Sequence, residues 1–82
     1  MESNRIRPDQ LVKVEVTDDD GRTVATHLCD MVNTITQAIQ QTVAAVNLPG
    51  PSVDYVYRVT DLSTGVSERY RINAGGHVRL LA

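Results

Sequence analysis

Residues 53–80, VDYVYRVTDLSTGVSERYRINAGGHVRL, decide the fold because they contain three strand patterns separated by two turns. In each pattern apolar side chains alternate with polar ones, which is the period of a strand with one covered face. A four-residue hairpin loop places Tyr57 opposite Tyr70, and a tight turn with two glycines places Tyr70 opposite Leu80. Both loop lengths gather the apolar residues, from Val53 onward, on the same face. We therefore predict a three-stranded antiparallel meander.

Residues 11–28, LVKVEVTDDDGRTVATHL, predict a hairpin ahead of this meander. The valines of LVKVEV alternate with charged residues, and the run DDDG has the composition of a tight turn. A three-residue loop ending at Gly21 sets Val16 opposite Val24, and the same register directs Leu28 to the same face. We therefore expect Val24 and Leu28 to point into the core.

Residues 31–47, MVNTITQAIQQTVAAVN, predict a single helix between the hairpin and the meander. The apolar residues recur at spacings of three and four, which is the pattern of a helix with one covered face. Asp30 precedes the pattern and is the predicted N-cap residue, and the Pro-Gly-Pro run after Leu48 ends the helix. The predicted buried stripe consists of Val32, Ile35, Ile39, Val43 and Val46.

The predicted order of elements is β-β-α-β-β-β, and the simplest arrangement for this order has two layers. We expect an α+β domain in which one helix packs on one face of a four- to five-stranded, mainly antiparallel sheet. Residues 10–82 form this single domain in the prediction, and residues 1–9 form a flexible N-terminal arm. The element order resembles the ubiquitin-like β-grasp, and this resemblance implies a ubiquitin-like protein as one alternative.

Gly75 and Gly76 resemble the C-terminal di-glycine of ubiquitin-like modifiers. In this chain, however, a further strand pattern with Val78 and Leu80 follows the two glycines. Cleavage after Gly76 would remove that strand, so we interpret the pair as a turn.

The composition limits what so short a chain can be. It has 82 residues, a net charge of −2 and a single Cys, so an internal disulfide is excluded. The sequence shows neither a leader pattern nor an apolar run long enough for a membrane span, so we expect a cytoplasmic protein without membrane association. The net negative charge disfavours general nucleic-acid binding. A core this small gains stability from self-association, and we therefore expect a homodimer.

Four arginines in the second half of the chain lie on the face opposite the predicted core. The register places Arg58 opposite Arg69 and Arg71 opposite Arg79, with His77 on the same face. Like charges directly opposite one another destabilise a sheet, so an acidic partner or solvent must compensate. We interpret this face as a binding surface for an acidic protein. The alternatives are single-stranded nucleic acid, which the buried tyrosines disfavour, and a solvated face without a ligand.

The predicted helix carries no charged residue, although solvent-facing helix positions usually carry Lys and Glu. Interface cores are depleted in charge, so the polar face of this helix is a candidate contact surface for a second copy. The alternative is a plain polar face in water. The candidate dimer contacts are Asn33, Gln37, Gln40, Gln41 and Ala44.

His27 and Cys29 are the two neighbouring residues with the most reactive side chains, and strand alternation puts both on one side of a strand. A structural zinc site needs four ligands, and the chain offers one Cys and two His. A Cys nucleophile needs a third group that orients the His, in addition to the His itself. Separately, the run DDDG lacks the ligand spacing of a calcium-binding loop. We therefore expect a non-enzymatic protein with no catalytic residue, no metal and no cofactor.

Overall fold

The computed structural model describes residues 11–30 and 34–81, and the predicted N-terminal arm, residues 1–9, lies outside them. In the described part of the chain, strands and helices follow one another in the predicted order. They are β1 (Val12–Thr17), β2 (Thr23–Cys29), α1 (Ile35–Ala45), a one-turn 3₁₀ helix (Ser52–Asp54), β3 (Val56–Asp61), β4 (Ser67–Ile72) and β5 (Val78–Leu80).

The strands form one sheet in the order β2-β1-β3-β4-β5, and each neighbouring pair is antiparallel. The helix α1 packs against β1 and β2, on one face of the sheet. The predicted α+β class, with one helix on a largely antiparallel sheet, is confirmed. Within this order β5 is an edge strand, at the opposite end of the sheet from β2.

The core lies between the sheet and the layer formed by α1 and the 3₁₀ turn. Val12, Val14 and Val16 of β1 are fully buried at its centre, because β1 has a neighbour on each side and the helix above it. The 3₁₀ turn packs against β4. The Tyr57 hydroxyl donates a hydrogen bond of 2.7 Å to the carbonyl oxygen of Ser52, which joins β3 to this turn.

Burial changes the acid–base behaviour of Tyr57. The ring is fully covered, and its environment disfavours the charged phenolate. Burial is the larger cause and the nearby Tyr55 the smaller one, and together they raise the pKa of Tyr57 from 10.0 to about 12. The neutral hydroxyl is therefore the form that the fold stabilises.

The meander has the predicted register. Tyr57 lies opposite Tyr70, and Tyr70 lies opposite Leu80. Both tyrosines are buried, whereas Leu80 is 41% exposed on β5, which is the edge strand. Val53 was expected on the buried face, and this expectation is wrong: the residue belongs to the 3₁₀ turn and is exposed.

Strand β2 is out of phase with the prediction, although its loop is the predicted one. The N–H of Asp18 donates to the carbonyl oxygen of Arg22 at 2.9 Å, which encloses a three-residue loop. The pairing then shifts by one residue, because Thr17 lies opposite Thr23 but Val16 lies opposite Ala25. Val24 is the extra residue of this β-bulge.

After the bulge, each side chain of β2 points to the face opposite to the predicted one. Ala25, His27 and Cys29 share the face of the buried valines, and Leu28 lies on the other face; Leu28 and the bulged Val24 are both exposed. The expectation that Val24 and Leu28 point into the core is therefore wrong. Packing explains the result, because small side chains beneath α1 let the helix approach closely: Cys29 Sγ lies 3.4 Å from the carbonyl oxygen of Ala38.

The helix begins later than predicted. Its N-cap is Thr34, whose Oγ1 accepts a hydrogen bond of 3.1 Å from the N–H of Gln37, so the assignment of Asp30 as the cap is wrong. The residues Thr34 and Gln37 have the spacing of a capping box, which is the sequence signal for this start.

The covered face of α1 differs in part from the predicted stripe. Ile35 and Ile39 are buried as expected, but Val43 and Val46 are only half-buried, and Val32 lies outside the described residues. Ala38 and Thr42 complete the buried face instead. Thr42 is accommodated because its hydroxyl donates a hydrogen bond of 2.9 Å to the carbonyl oxygen of Ala38.

Candidate anion-binding face

The arginine face, defined as the side of β3, β4 and β5 turned away from the core, carries Arg58, Arg69, Arg71 and Arg79. Arg58 lies directly opposite Arg69, and Arg71 lies directly opposite Arg79. Arg58, Arg69 and Arg79 are exposed, and Arg71 is half-buried. Strand alternation produces this arrangement, because the same strands direct Tyr57 and Tyr70 into the core.

Arg71 has the nearest opposite charge on this face. Its Nη2 lies 3.8 Å from Oδ1 of Asp19, and its Nη1 lies 3.5 Å from the carbonyl oxygen of Val53. The Asp19 side chain is highly exposed on the β1–β2 loop, and an ion pair of this kind contributes little to stability. The contact does, however, hold the Arg71 side chain near the edge of the 3₁₀ turn.

The guanidinium groups of the other three arginines form no hydrogen bond or ion pair with another described residue. Glu15 is the carboxylate directly opposite Arg58 on the neighbouring strand β1. Its Oε1 lies 3.8 Å from Nζ of Lys13, so its charge is shared with a second cation. The charges that β1, β3, β4 and β5 direct outward are therefore mostly positive, in a chain whose net charge is negative.

A shallow depression of about 220 Å³ lies at the end of this face, between β4 and β5. Arg71, Ile72, Asn73 and Arg79 line it. Two arginines line this one depression, and guanidinium groups bind carboxylates by charge-assisted hydrogen bonds. This depression is therefore a candidate anion position on the arginine face.

The β4–β5 turn fixes one side of the depression. Asn73 Oδ1 accepts hydrogen bonds from the N–H groups of Gly75 and His77, at 2.9 and 3.0 Å. His77 is exposed at the end of this turn. It adjoins the arginine face through the turn and does not line the depression.

The predicted contact residues of the helix lie on the other side of the molecule. Gln40, Gln41 and Ala44 are exposed, Gln37 is half-buried, and Asn33 lies outside the described residues. Because α1 packs on the face opposite the arginines, the two candidate surfaces are separated by the whole sheet. One partner segment cannot bind to both surfaces at once.

Cys29 and His27 do not form an open site. The Cys29 thiol is 1% exposed and lies 3.6 Å from Oγ1 of Thr42, beneath α1, and His27 is half-buried. Among residues 11–30 and 34–81, no cluster of three or more His, Cys, Asp or Glu side chains has the arrangement of a metal site.

Asp61 is a buried polar residue whose role was not predicted. Its carboxylate accepts hydrogen bonds from the N–H and the hydroxyl of Ser63, at 2.9 and 2.8 Å. Its backbone closes the β3–β4 hairpin, because its N–H donates to Val66 O and its carbonyl accepts from Gly65. Aspartate two residues before serine is an Asx-turn signal, so the sequence did contain this feature.

Comparison of the chain with protein-family models, with curated proteins and with solved structures finds no match. In the part of the chain that the structure describes, α1 and the 3₁₀ turn are both too short and too polar to cross a bilayer. Function is therefore inferred from the geometry of the surfaces.

Proposed function

We propose that the protein is a small non-enzymatic interaction module whose arginine face binds an acidic segment of another protein. The observation that carries the proposal is the placement of Arg58 opposite Arg69 and of Arg71 opposite Arg79. Each pair costs stability in the free protein, and a bound carboxylate removes the repulsion. Relief of this repulsion therefore contributes favourably to the free energy of binding.

A protein ligand fits this face better than a nucleic acid does. Single-stranded nucleic acids bind to open sheets largely through stacking on exposed aromatic rings. Tyr55, Tyr57 and Tyr70 are all buried, and they are the only aromatic residues of Phe, Tyr or Trp type in the chain. Single-stranded nucleic acid remains the second candidate, since guanidinium groups also bind phosphate.

A ubiquitin-like modifier is the third candidate, and the β4–β5 turn argues against it. Gly76 adopts a φ of 82° and its N–H donates to the carbonyl oxygen of Asn73 at 2.9 Å. The strand β5 follows immediately and pairs with β4. The di-glycine is thus part of a hairpin turn within the sheet.

The proposal includes a cytoplasmic setting and no cofactor. The single, free Cys29 supports this setting, because disulfides are typical of oxidising compartments and reduced thiols are typical of the cytoplasm.

The test is the binding of a fluorescent oligo-glutamate peptide, measured by anisotropy at low and high salt. The double variant Arg69→Glu with Arg71→Glu should lose binding by at least tenfold, because two favourable contacts become repulsive. Folding should survive, since the carboxylate introduced at position 69 faces Arg58.

Arg22→Glu is the matched control, because Arg22 is exposed on the β1–β2 loop and belongs to none of the three strands that form the arginine face. Its charge change should weaken binding only slightly. Undiminished binding by the folded double variant contradicts the proposal. Tighter, salt-dependent binding of oligouridine than of the peptide supports the nucleic-acid alternative instead.

A further inference from the structure

The outer side of β2 is an unprotected sheet edge. The strand pairs with β1 on one side, and no described strand pairs with it on the other. Natural sheets usually protect such an edge with charged residues or proline. The seven residues of β2, TVATHLC, contain no Asp, Glu, Lys, Arg or Pro. The bulge at Val24 disturbs the start of this edge, but residues 25–29 pair regularly with β1 and lack the charges and prolines that normally prevent another strand from binding.

The hydrogen-bond pattern shows which groups of β2 point outward. The N–H of Leu62 donates to the carbonyl oxygen of Leu11 at 3.3 Å, so odd-numbered residues of β1 bond to β3. The even-numbered valines of β1 therefore bond to β2, where their partners are Ala25, His27 and Cys29. It follows that Thr26 and Leu28 direct their N–H and C=O groups to the free edge.

The side chains beside this edge are apolar and exposed. Leu28 is 55% exposed on the face turned away from α1, and the bulged Val24 is 37% exposed. Among the described residues, Leu28 is the most exposed of the large hydrophobic residues. Thr26 lies on the same face as Leu28. An added strand would thus gain backbone hydrogen bonds and cover apolar surface at once.

We propose that β2 pairs with β2 of a second copy of this chain, antiparallel, about a twofold axis at Thr26. This register uses the whole strand, since it places Val24 of each copy opposite Leu28 of the other. The two Thr26 residues then exchange both of their backbone hydrogen bonds. The edge is self-complementary in this register, which is the requirement for a closed twofold contact.

The charges of the molecule permit this contact. The edge strand itself is uncharged, and Arg58 lies on the second strand inward. Five strand spacings separate the Arg58 residues of the two copies, which is about 24 Å. This distance exceeds the Debye length of about 8 Å at physiological salt, so the repulsion between the arginine faces is weak.

The twofold axis is perpendicular to the sheet, so both arginine faces lie on the same side of a continuous ten-strand sheet. Both helices lie on the opposite side. The contact is independent of the proposed function, because it uses none of the arginines. If both are correct, one acidic partner can bind two arginine faces and gains avidity.

Disulfide trapping tests the register. Directly opposite residues of a hydrogen-bonded pair have Cα atoms about 5.5 Å apart, which is within the range of a disulfide. Under mild oxidation, Thr26→Cys should therefore form a covalent dimer in most of the protein. Gln41→Cys on the exposed face of α1 is the matched control and should remain largely monomeric, as should the unmodified chain with its buried Cys29. Preferential trapping of Gln41→Cys assigns the dimer to the helix and overturns the proposal.

Sedimentation equilibrium tests the contact without crosslinking. At tens of micromolar we expect twice the 9.0 kDa of one chain. Leu28→Lys should shift the equilibrium to monomer by at least tenfold, whereas Leu62→Lys, at an exposed leucine of the β3–β4 loop, should remain dimeric. A monomeric unmodified protein overturns the proposal, and so does a Leu28→Lys variant that is as dimeric as the control.

Discussion

Arg58 lies directly opposite Arg69 across the β3–β4 pair, and both side chains are exposed to solvent. Cross-strand pairs are the unit of sheet stabilisation, and a like-charge pair is unfavourable. Since neither guanidinium has an ion pair with another described residue, this repulsion is a property of the unbound protein. The free energy of unfolding should therefore rise when this repulsion is removed.

The substitution Arg69→Thr should stabilise the protein by about 0.5 kcal/mol at low salt, because it removes the repulsion and introduces a good strand former. The measurement is urea unfolding in low and in high salt. The gain should shrink at high salt, where the charges are screened. Arg22→Thr on the β1–β2 loop is the control and should leave the free energy of unfolding unchanged. A loss of stability in Arg69→Thr would contradict this expectation and show that packing of the aliphatic part of Arg69 stabilises the sheet by more than the charge repulsion destabilises it.

The raised pKa of Tyr57 should make the protein less stable in alkali. The pKa is about 12 in the folded protein against 10.0 in the unfolded chain, so the neutral hydroxyl binds its proton more tightly when folded. This contribution is complete below pH 10 and is lost as the pH rises toward 12, by about 2 kcal/mol at pH 12. Unfolding free energies measured from pH 8 to 12 give this loss directly.

Tyr57→Phe separates the effect of this residue from that of other groups that titrate in alkali. The variant should lose about 1 kcal/mol at neutral pH, because the hydrogen bond to Ser52 is removed. Between pH 10 and 12 it should lose less further stability than the unmodified protein. Parallel pH profiles for the two proteins would count against the assignment.

The start of α1 can be tested by removing its cap. Thr34→Ala should destabilise the protein by about 1 kcal/mol, because the N–H of Gln37 loses its hydrogen-bond acceptor. Thr34→Ser keeps an acceptor and should remain close to the unmodified protein in urea unfolding. Asp30→Ala should have little effect, and a larger loss there than in Thr34→Ala would restore the earlier helix start.

The two glycines of the β4–β5 turn should differ in their tolerance of a side chain. Gly76 has a φ of 82°, where an L-residue is strained, so Gly76→Ala should cost about 1–2 kcal/mol. Gly75→Ala should cost clearly less, because the added Cβ would meet Asn73 and His77 only at an ordinary contact distance of 3.4 Å. Thermal unfolding of both variants decides the matter, and equal losses would contradict the assigned turn geometry.

The fold was predictable where two independent signals agreed. In the meander, the hydrophobic alternation and both loop lengths supported one register, and the positions of Tyr57, Tyr70 and the four arginines followed from it. In β2 the loop length was also correct. One bulged residue, Val24, then reversed the strand, and the alternation signal in TVATHLC is too weak to reveal a bulge.

The other differences have local causes. Asp30 is a good cap residue in isolation, but the pairing of Thr34 with Gln37 is the stronger signal, since it satisfies a helix donor through a side chain. The burial of Asp61 was not predicted, because it depends on the neighbouring β1. Opposite Val12, Asp61 lies at the covered end of the sheet. The sequence pattern of one hairpin does not contain that information.

The buried position of Cys29 makes its thiol a natural probe of how often the helix separates from the sheet. The thiol is sealed between the end of β2 and the backbone of Ala38, so a thiol reagent reaches it only when α1 lifts from the sheet. The rate of labelling in native buffer therefore reports how often the two layers come apart. A single natural residue is enough for this, without any engineered probe.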